Sequence, residues 1–231
     1  MKNTSIFVFI LLLFGLLWYS SCSPHYIAAN FDDRTIDHET VAILPVEVVF
    51  TGKVPEDISE EDILAIEEAE AKAFQISFYN EILRSTKSGR KPIYVDIQHY
   101  QQTLGRLEEQ CTSLSDAWSK EPAELAAILD VDAVVKARIE KMRYMSDLES
   151  YGIDLGIQLA QLFSGATFWP WLPPGMTRAK TIRADYSLLD GEENKILWSV
   201  AFDIDADWSR PSNEIIDEVS RRAGRKFPYR R

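Results

Sequence analysis

The sequence has few of the side chains that build catalytic and metal sites. It contains two cysteines, three histidines and ten glycines in 231 residues. Two cysteines cannot form a disulfide framework, and the scattered glycines form no phosphate-binding loop. The HExxH, GxSxG and CxxC patterns of zinc, serine and thiol chemistry are also missing. We therefore expect no catalytic residue, no metal and no cofactor.

Positive charge is scarce as well. Lysine and arginine number 25 against 36 acidic residues, which gives a net charge of −11. This balance argues against nucleic acid as a partner, because phosphate neutralisation needs clustered basic side chains. The one basic cluster closes the chain and comprises Arg221, Arg222, Arg225, Lys226, Arg230 and Arg231. It is either a solvated chain end or a contact for anionic lipid, peptidoglycan or an acidic partner.

The chain begins with a charged and apolar segment that ends at a cysteine. Lys2 precedes an apolar run over residues 6–19, and two serines then lead into Cys22. This order is typical of a secretory signal peptide over residues 1–21, and the run is shorter than the ~20 residues of a bilayer span. The segment resembles the lipobox of bacterial lipoproteins, which implies acylation of Cys22. An ordinary signal peptide cut nearby is the alternative.

Acylation of Cys22 sets further expectations. Acyl chains such as palmitate on one cysteine hold a protein on a membrane almost irreversibly. Ser23 stands where an Asp commonly retains lipoproteins in the inner membrane, so the resemblance implies the outer membrane and a periplasm-facing domain. The polar residues that follow predict a lipidated tether over residues 22–38. Cys111 then has no intramolecular partner, and we expect a buried, unreactive thiol, with a redox or intermolecular role as the alternative.

The apolar pattern over residues 39–231 predicts a single α+β domain. A hydrophobic content of 46% with 26% charged residues is typical of a folded globular protein. Pro45 predicts an interruption of the first strand, and Ser59 with Asp62 predicts the start of a long helix. Strands are predicted at residues 41–50, 92–97, 132–140, 181–189 and 196–204. The order β-α-β-α-α-β-insert-β-β-α indicates one mixed β-sheet with helices packed on it.

The insert at residues 151–175 interrupts this order. Phe168, Trp169 and Trp171 lie among prolines, which exclude a central strand or an uninterrupted helix. Aromatic rings in a proline-stiffened loop suit a partner groove or a membrane interface. A loop folded back over the sheet would instead add these rings to the core. Phe168, Trp169 and Trp171 are therefore candidate partner-binding residues, with core packing and membrane contact as the alternatives.

Three motifs occur in an order that resembles a known family. They are Val41-Ala-Ile-Leu-Pro45, Asp132-Ala-Val-Val135 and Asp190-Gly-Glu-Glu-Asn-Lys-Ile-Leu-Trp-Ser199. Their order resembles lipoproteins built on the domain of the curli secretion channel lipoprotein (CsgG-like), which penicillin-binding-protein activator lipoproteins and the TolB amino-terminal domain share. The resemblance implies a lipid-anchored, non-enzymatic periplasmic adaptor, or an accessory domain in assembly or secretion, with an envelope protein as its partner.

Two other functions stay open. A lipid-anchored hydrolase would use His99 as a base beside Asp96, although a structural histidine is the simpler explanation. A CsgG-like oligomeric channel subunit would need two membrane-spanning hairpins, and only the closing hairpin alternates clearly. Finally, three acids at a strand end either hold a cation or keep a sheet edge soluble: Asp203, Asp205 and Asp207.

Overall fold

The computed structural model of the protein describes residues 25–51, 59–87, 92–143, 179–205 and 212–230. The predicted signal peptide, Cys22, Asp207 and the insert with Phe168, Trp169 and Trp171 lie outside the described residues. Within those ranges, no helix is both long enough and apolar enough to cross a membrane.

One mixed sheet of seven strands organises the fold, with helices on both of its faces. The strands are β1 (His25–Ile27), β2 (Thr40–Ile43), β3 (Glu47–Thr51), β4 (Asp96–Ile97), β5 (Ala133–Arg143), β6 (Ala179–Asp190) and β7 (Ile196–Asp205). The helices are α1 (Phe31–Arg34), α2 (Glu60–Lys87), α3 (Tyr100–Gln110), α4 (Leu114–Ser119), α5 (Pro122–Leu129) and α6 (Ser212–Gly224). The strand order is β1-β7-β6-β5-β2-β4, and β3 also pairs with β5. The predicted fold class is confirmed.

Pro45 divides the first predicted strand into β2 and β3. Both pair in parallel with β5, through Ile43 opposite Val135 and Glu47 opposite Arg138. Ile43 and Glu47 are four residues apart in the sequence, whereas their partners on β5 are three residues apart. The segment between β2 and β3 therefore holds one extra residue. A proline cannot donate to the ladder, and the interruption that we predicted at Pro45 is confirmed.

The core has two parts because the sheet carries helices on both faces. Successive strand side chains point to opposite faces, so Val134 and Val135 of β5 lie in different apolar clusters. Helices α2 and α6 cover one face, where Phe74, Phe78 and Ile216 are fully buried. The other cluster is built on α3, α4 and α5 and contains Leu107, Ala117, Leu125, Ala126 and Leu129. Its sheet residues come from β2, β5 and the segment after β2.

The start of α2 follows the predicted capping box. The Asp62 N–H donates to Ser59 Oγ at 3.1 Å, and the Ser59 N–H donates back to Asp62 Oδ2 at 3.4 Å. Each bond satisfies a backbone donor that the first helical turn leaves free. The predicted start of the helix at this position is confirmed.

The hairpin of β6 and β7 contains a bulge that the sequence pattern missed. The alternation over residues 196–204 predicts that Ile196 and Trp198 share the buried face. Trp198 is fully buried, but Ile196 is 48% exposed. Leu188 pairs with Trp198, whereas Leu189 pairs with Ile196, so Leu197 is an extra residue on β7. An extra residue reverses the alternation on one side of the bulge, which is why Ile196 turns outward.

Residues 25–38 belong to the folded domain rather than to the predicted tether. Strand β1 pairs with β7, and Ala28 and Phe31 enter the core. The Phe31 ring meets the Tyr229 ring edge-on, with 5.3 Å between their centroids. The polar residues around Phe31 concealed this packing, because they leave no apolar period to detect. The domain therefore begins by His25 and not at residue 39.

The carboxyl-terminal segment also docks on the domain. Phe227 and Tyr229 are buried, and Arg230 forms a single antiparallel bridge with Ile93. The Arg221 and Arg222 side chains nearby are exposed. The described part of this end is therefore held in place by its aromatic residues, while some of its basic side chains face water.

Candidate functional site

The motifs behind the family resemblance converge at one end of the sheet. Thr40 opens β2, Ala133 opens β5 and Asp190 closes β6, and the last two pair directly across the ladder. A polar cleft of about 750 Å³ lies at this end. Its lining includes Arg34, His38, Asp130, Asp132, Asp190 and Glu193. This cleft is the main candidate site among the described residues.

Asp132 uses its side chain to hold the start of β2. Its Oδ2 atom accepts hydrogen bonds from the Glu39 N–H at 2.7 Å and the Thr40 N–H at 2.8 Å. A carboxylate that accepts backbone donors makes charge-assisted bonds, which are stronger than neutral ones. Asp132 therefore ties β2 to the start of β5 across a large separation in sequence.

Gly191 allows the hairpin turn to approach the same residue. Its N–H donates to the Asp132 backbone carbonyl at 2.8 Å. A Cβ atom at this position would lie 2.6 Å from both the Ala126 Cβ atom and the Asp132 carbonyl oxygen. Only glycine fits this close approach without displacing backbone.

Asp190 is paired with a residue from the segment that we predicted to be a tether. The Arg34 guanidinium contacts the Asp190 carboxylate at 2.7 Å and the Glu193 carboxylate at 2.6 Å. Lys195 and then Arg34 lower the pKa of the Glu193 carboxyl by stabilising its charged form. The Asp190 Oδ1 atom also accepts the Glu192 N–H at 2.9 Å, which shapes the turn.

Asn194 links the hairpin turn to helix α5. It adopts a left-handed backbone conformation with φ at 55°, which asparagine tolerates better than most residues. Its Oδ1 atom accepts the Ala123 N–H at 2.7 Å. This N–H belongs to the first turn of α5, where backbone donors have no partner within the helix. Asn194 thus caps α5 from a distant part of the chain.

Two acids of the polar cleft, together with Asn194 in the adjoining turn, therefore hold the protein's own backbone. Asp132, Asp190 and Asn194 each accept at least one backbone N–H, and Asp190 is also neutralised by Arg34. Within the described ranges, no group of three or more histidine, cysteine, aspartate or glutamate side chains is placed to hold a metal ion. These contacts give the motif residues Asp132, Asp190 and Asn194 a structural role.

Asp132→Ala is expected to lower the free energy of unfolding by about 1–3 kcal/mol, because it removes the acceptor of two backbone donors. Asp132→Asn keeps one oxygen acceptor, so we expect a smaller loss. Glu192→Ala removes an exposed acid from the same cleft and is expected to change stability by less than about 0.5 kcal/mol. Urea unfolding measures all three variants. Equal effects of Asp132→Ala and Glu192→Ala would contradict the structural role.

The two residues of the alternative hydrolase, His99 and Asp96, make different contacts. His99 caps helix α3, since its Nδ1 atom accepts the Gln101 N–H at 3.3 Å. Its ring stacks on Tyr100 with 4.4 Å between the centroids. Asp96 lies on the edge strand β4, and no hydrogen bond or ion pair joins it to His99 in the part of the chain that the structure describes. Neither residue lines the polar cleft.

The remaining candidates take ordinary positions. Cys111 is half-buried at the end of α3, and burial followed by the nearby Asp116 carboxylate raises the pKa of its thiol, which disfavours the reactive thiolate. Asp203 pairs with Arg183 at 3.2 Å across β6 and β7, and Asp205 is exposed. Arg34 was not predicted as a partner of Asp190, because the residues around it resemble a polar linker. The special role of Asn194 could have been predicted from the sequence, because it lies in a turn that requires a residue with a left-handed backbone conformation.

Comparisons with known proteins find likeness only in structure. No protein-family model and no curated protein matches the chain. Lipoprotein GNA1162 from Neisseria meningitidis is 13% identical with a TM-score of 0.41, over 80% of this chain and 94% of that one. The LpoB C-terminal domain from Salmonella enterica is 10% identical with a TM-score of 0.36, over 73% of this chain and 84% of that one.

A dodecamer is among these similar structures. The PelC dodecamer from Paraburkholderia phytofirmans is 8% identical with a TM-score of 0.39, over 91% of this chain and 96% of that chain. Identities and scores this low carry no argument about function.

Proposed function

We propose that the protein is a lipid-anchored component of the bacterial envelope whose domain is a non-enzymatic adaptor or accessory in outer-membrane assembly, secretion or cell-wall synthesis. The observation that carries the proposal is that the motif side chains Asp132 and Asp190, in the polar cleft, and Asn194, in the turn that follows Asp190, bind the protein's own backbone. The signal segment and Cys22 supply the anchor, and the CsgG-like motif order supplies the envelope setting.

Catalysis requires polar groups that reach a substrate. In the polar cleft, Asp132 already accepts two backbone donors and Asp190 is held by Arg34. These contacts engage the Asp132 Oδ2 atom and the Asp190 carboxylate with groups of the protein itself, rather than leaving them free for a substrate. A rigid scaffold that presents a surface to a partner needs no such free group, and this difference supports the adaptor over the hydrolase.

The anchor is tested by removing Cys22. Cys22→Ala is expected to leave an unacylated chain that moves from the membrane to the soluble periplasmic fraction. Cys111→Ala is the matched control, and it is expected to stay on the outer membrane. Density fractionation locates the protein, and mass spectrometry of the amino-terminal peptide detects the acyl chains. A Cys22→Ala protein that stays membrane-bound after high-salt washing would refute the anchor.

We place the partner-binding surface in the insert that carries Phe168, Trp169 and Trp171. Strand β5 precedes the insert and strand β6 follows it. The last residue of β5, Arg143, pairs with the first residue of β6, Ala179, at the end of the sheet opposite the polar cleft. Prolines restrict the insert, so its rings lose little entropy on binding. Tryptophan is also enriched among the residues that dominate binding energy.

Trp169→Ala combined with Trp171→Ala is expected to abolish capture of a crosslinked envelope partner and to leave the melting temperature nearly unchanged. Leu64→Ala removes an apolar side chain that is 61% exposed on α2, and it serves as the control that should retain the partner. A loss of several kcal/mol in the double variant would show that the rings complete the core instead.

A further inference from the structure

An apolar sheet edge lies beside the amino-terminal end of the domain. Strand β1 is the outermost strand on its side of the sheet. Tyr26 is 51% exposed and Ile27 is 45% exposed, and Ile196 beside them is 48% exposed. The Ala28 N–H donates to the Leu197 carbonyl at 2.9 Å, which brings Ile196 next to the end of β1. We call Tyr26, Ile27 and Ile196 the apolar edge.

The apolar edge differs from an uncovered sheet face. Residues directly opposite on antiparallel strands share a face, and Tyr26 is opposite Ser199 while Ile27 is opposite Trp198. The two side chains therefore emerge on opposite faces of the same edge strand. A partner that covered one face of the sheet would contact only one of these two side chains. A surface that lies against the edge of the sheet would contact both side chains.

The length of the chain between Cys22 and β1 indicates which surface lies against this sheet edge. Only Ser23 and Pro24 stand between Cys22 and His25. An extended chain spans at most ~3.3–3.6 Å per residue, so Cys22 and the start of β1 are separated by no more than about 11 Å. Because residues 25–38 are folded into the domain, they cannot act as a flexible tether that would let the domain move away from the membrane. Acyl chains on Cys22 therefore bring β1 to the level of the lipid head groups.

We propose that the apolar edge of β1 and β7 rests on the surface of the membrane to which Cys22 is anchored. The inference deepens the proposed function and depends on acylation at Cys22. Tyrosine favours the membrane–water interface, where its ring meets apolar groups and its hydroxyl stays in water, and isoleucine adds apolar contact. The opposite sheet edge, β4, is five strand spacings away, or about 24 Å, so helix α3 beside it stays in water.

Spin labels on the acylated full-length protein test this orientation. Labels are placed through Tyr26→Cys, Ile27→Cys or Gln102→Cys in a Cys111→Ala background, with Gln102 as the exposed control on α3. The protein is reconstituted in vesicles of phosphatidylethanolamine and phosphatidylglycerol. We expect the ratio of oxygen accessibility to nickel-chelate accessibility at positions 26 and 27 to exceed that at position 102 several-fold. Melting curves check that each labelled protein is folded.

Three other results would overturn the inference, and each is distinct. Equal water accessibility at positions 26, 27 and 102, with Cys22 acylated by mass spectrometry, would leave the anchor and remove the docked edge. Strong dipolar coupling between labels at position 26 would show that a second copy pairs with β1, since an edge strand offers free backbone groups. An unacylated Cys22 would remove the anchor itself, and the proposed function would fail together with the orientation.

Discussion

Trp198→Ala is expected to lower the free energy of unfolding by about 3–5 kcal/mol, which is a large share of the stability of a typical domain. Trp198 is fully buried on β7, where its ring meets Phe227 with 6.1 Å between the centroids. Alanine would leave a cavity that the surrounding strands and helices cannot fill. Urea or thermal unfolding of the purified domain gives the measurement.

Two matched variants separate the causes of this loss. Trp198→Phe keeps most of the apolar volume but removes the indole N–H that donates to His25 Nε2 at 3.1 Å, so we expect a smaller loss. Ser199→Ala changes the next residue, on the other face of the same strand, and is expected to change stability by less than about 0.5 kcal/mol. A Trp198→Ala protein as stable as the Ser199→Ala protein would contradict the burial of Trp198.

Lys141→Met is expected to lower the free energy of unfolding by about 3–5 kcal/mol, because it leaves a buried carboxylate without its partner. The Lys141 Nζ atom lies 2.6 Å from the Glu70 carboxylate, and both side chains are only 1% exposed. The ammonium also lies 5.1 Å from the centroid of the Phe74 ring. The other carboxylate oxygen of Glu70 has no hydrogen-bond partner among the described residues.

A double variant shows whether the loss comes from the unpaired charge. Replacing both residues, as Lys141→Met with Glu70→Leu, is expected to recover most of the stability, since apolar residues often replace a buried ion pair without cost. Lys195→Met breaks the exposed pair with Glu193 and is expected to cost no more than about 1 kcal/mol. A double variant no more stable than Lys141→Met alone would show that the loss does not come from the unpaired charge of Glu70.

The sequence by itself determined the elements that depend on nearby residues. The capping box of Ser59 and Asp62 marks the start of α2, and Pro45 marks the break between β2 and β3. The alternation over residues 181–189 predicts the buried face of β6, and the turn after it predicts the hairpin. Each of these signals is local, because helix caps, turns and side-chain periods involve residues within a few positions of one another.

The cleft, the ion pair and the true beginning of the domain were decided only by the tertiary structure. Asp132 accepts the N–H groups of residues 39 and 40, Asn194 caps a helix more than sixty residues earlier, and Lys141 meets Glu70 in the core. Residues 25–38 look like a polar linker until Phe31 meets Tyr229. Such contacts join positions far apart in the chain, and no period or spacing encodes which distant groups will meet. Their partners become identifiable only when the folded sheet brings its strand ends and helices together.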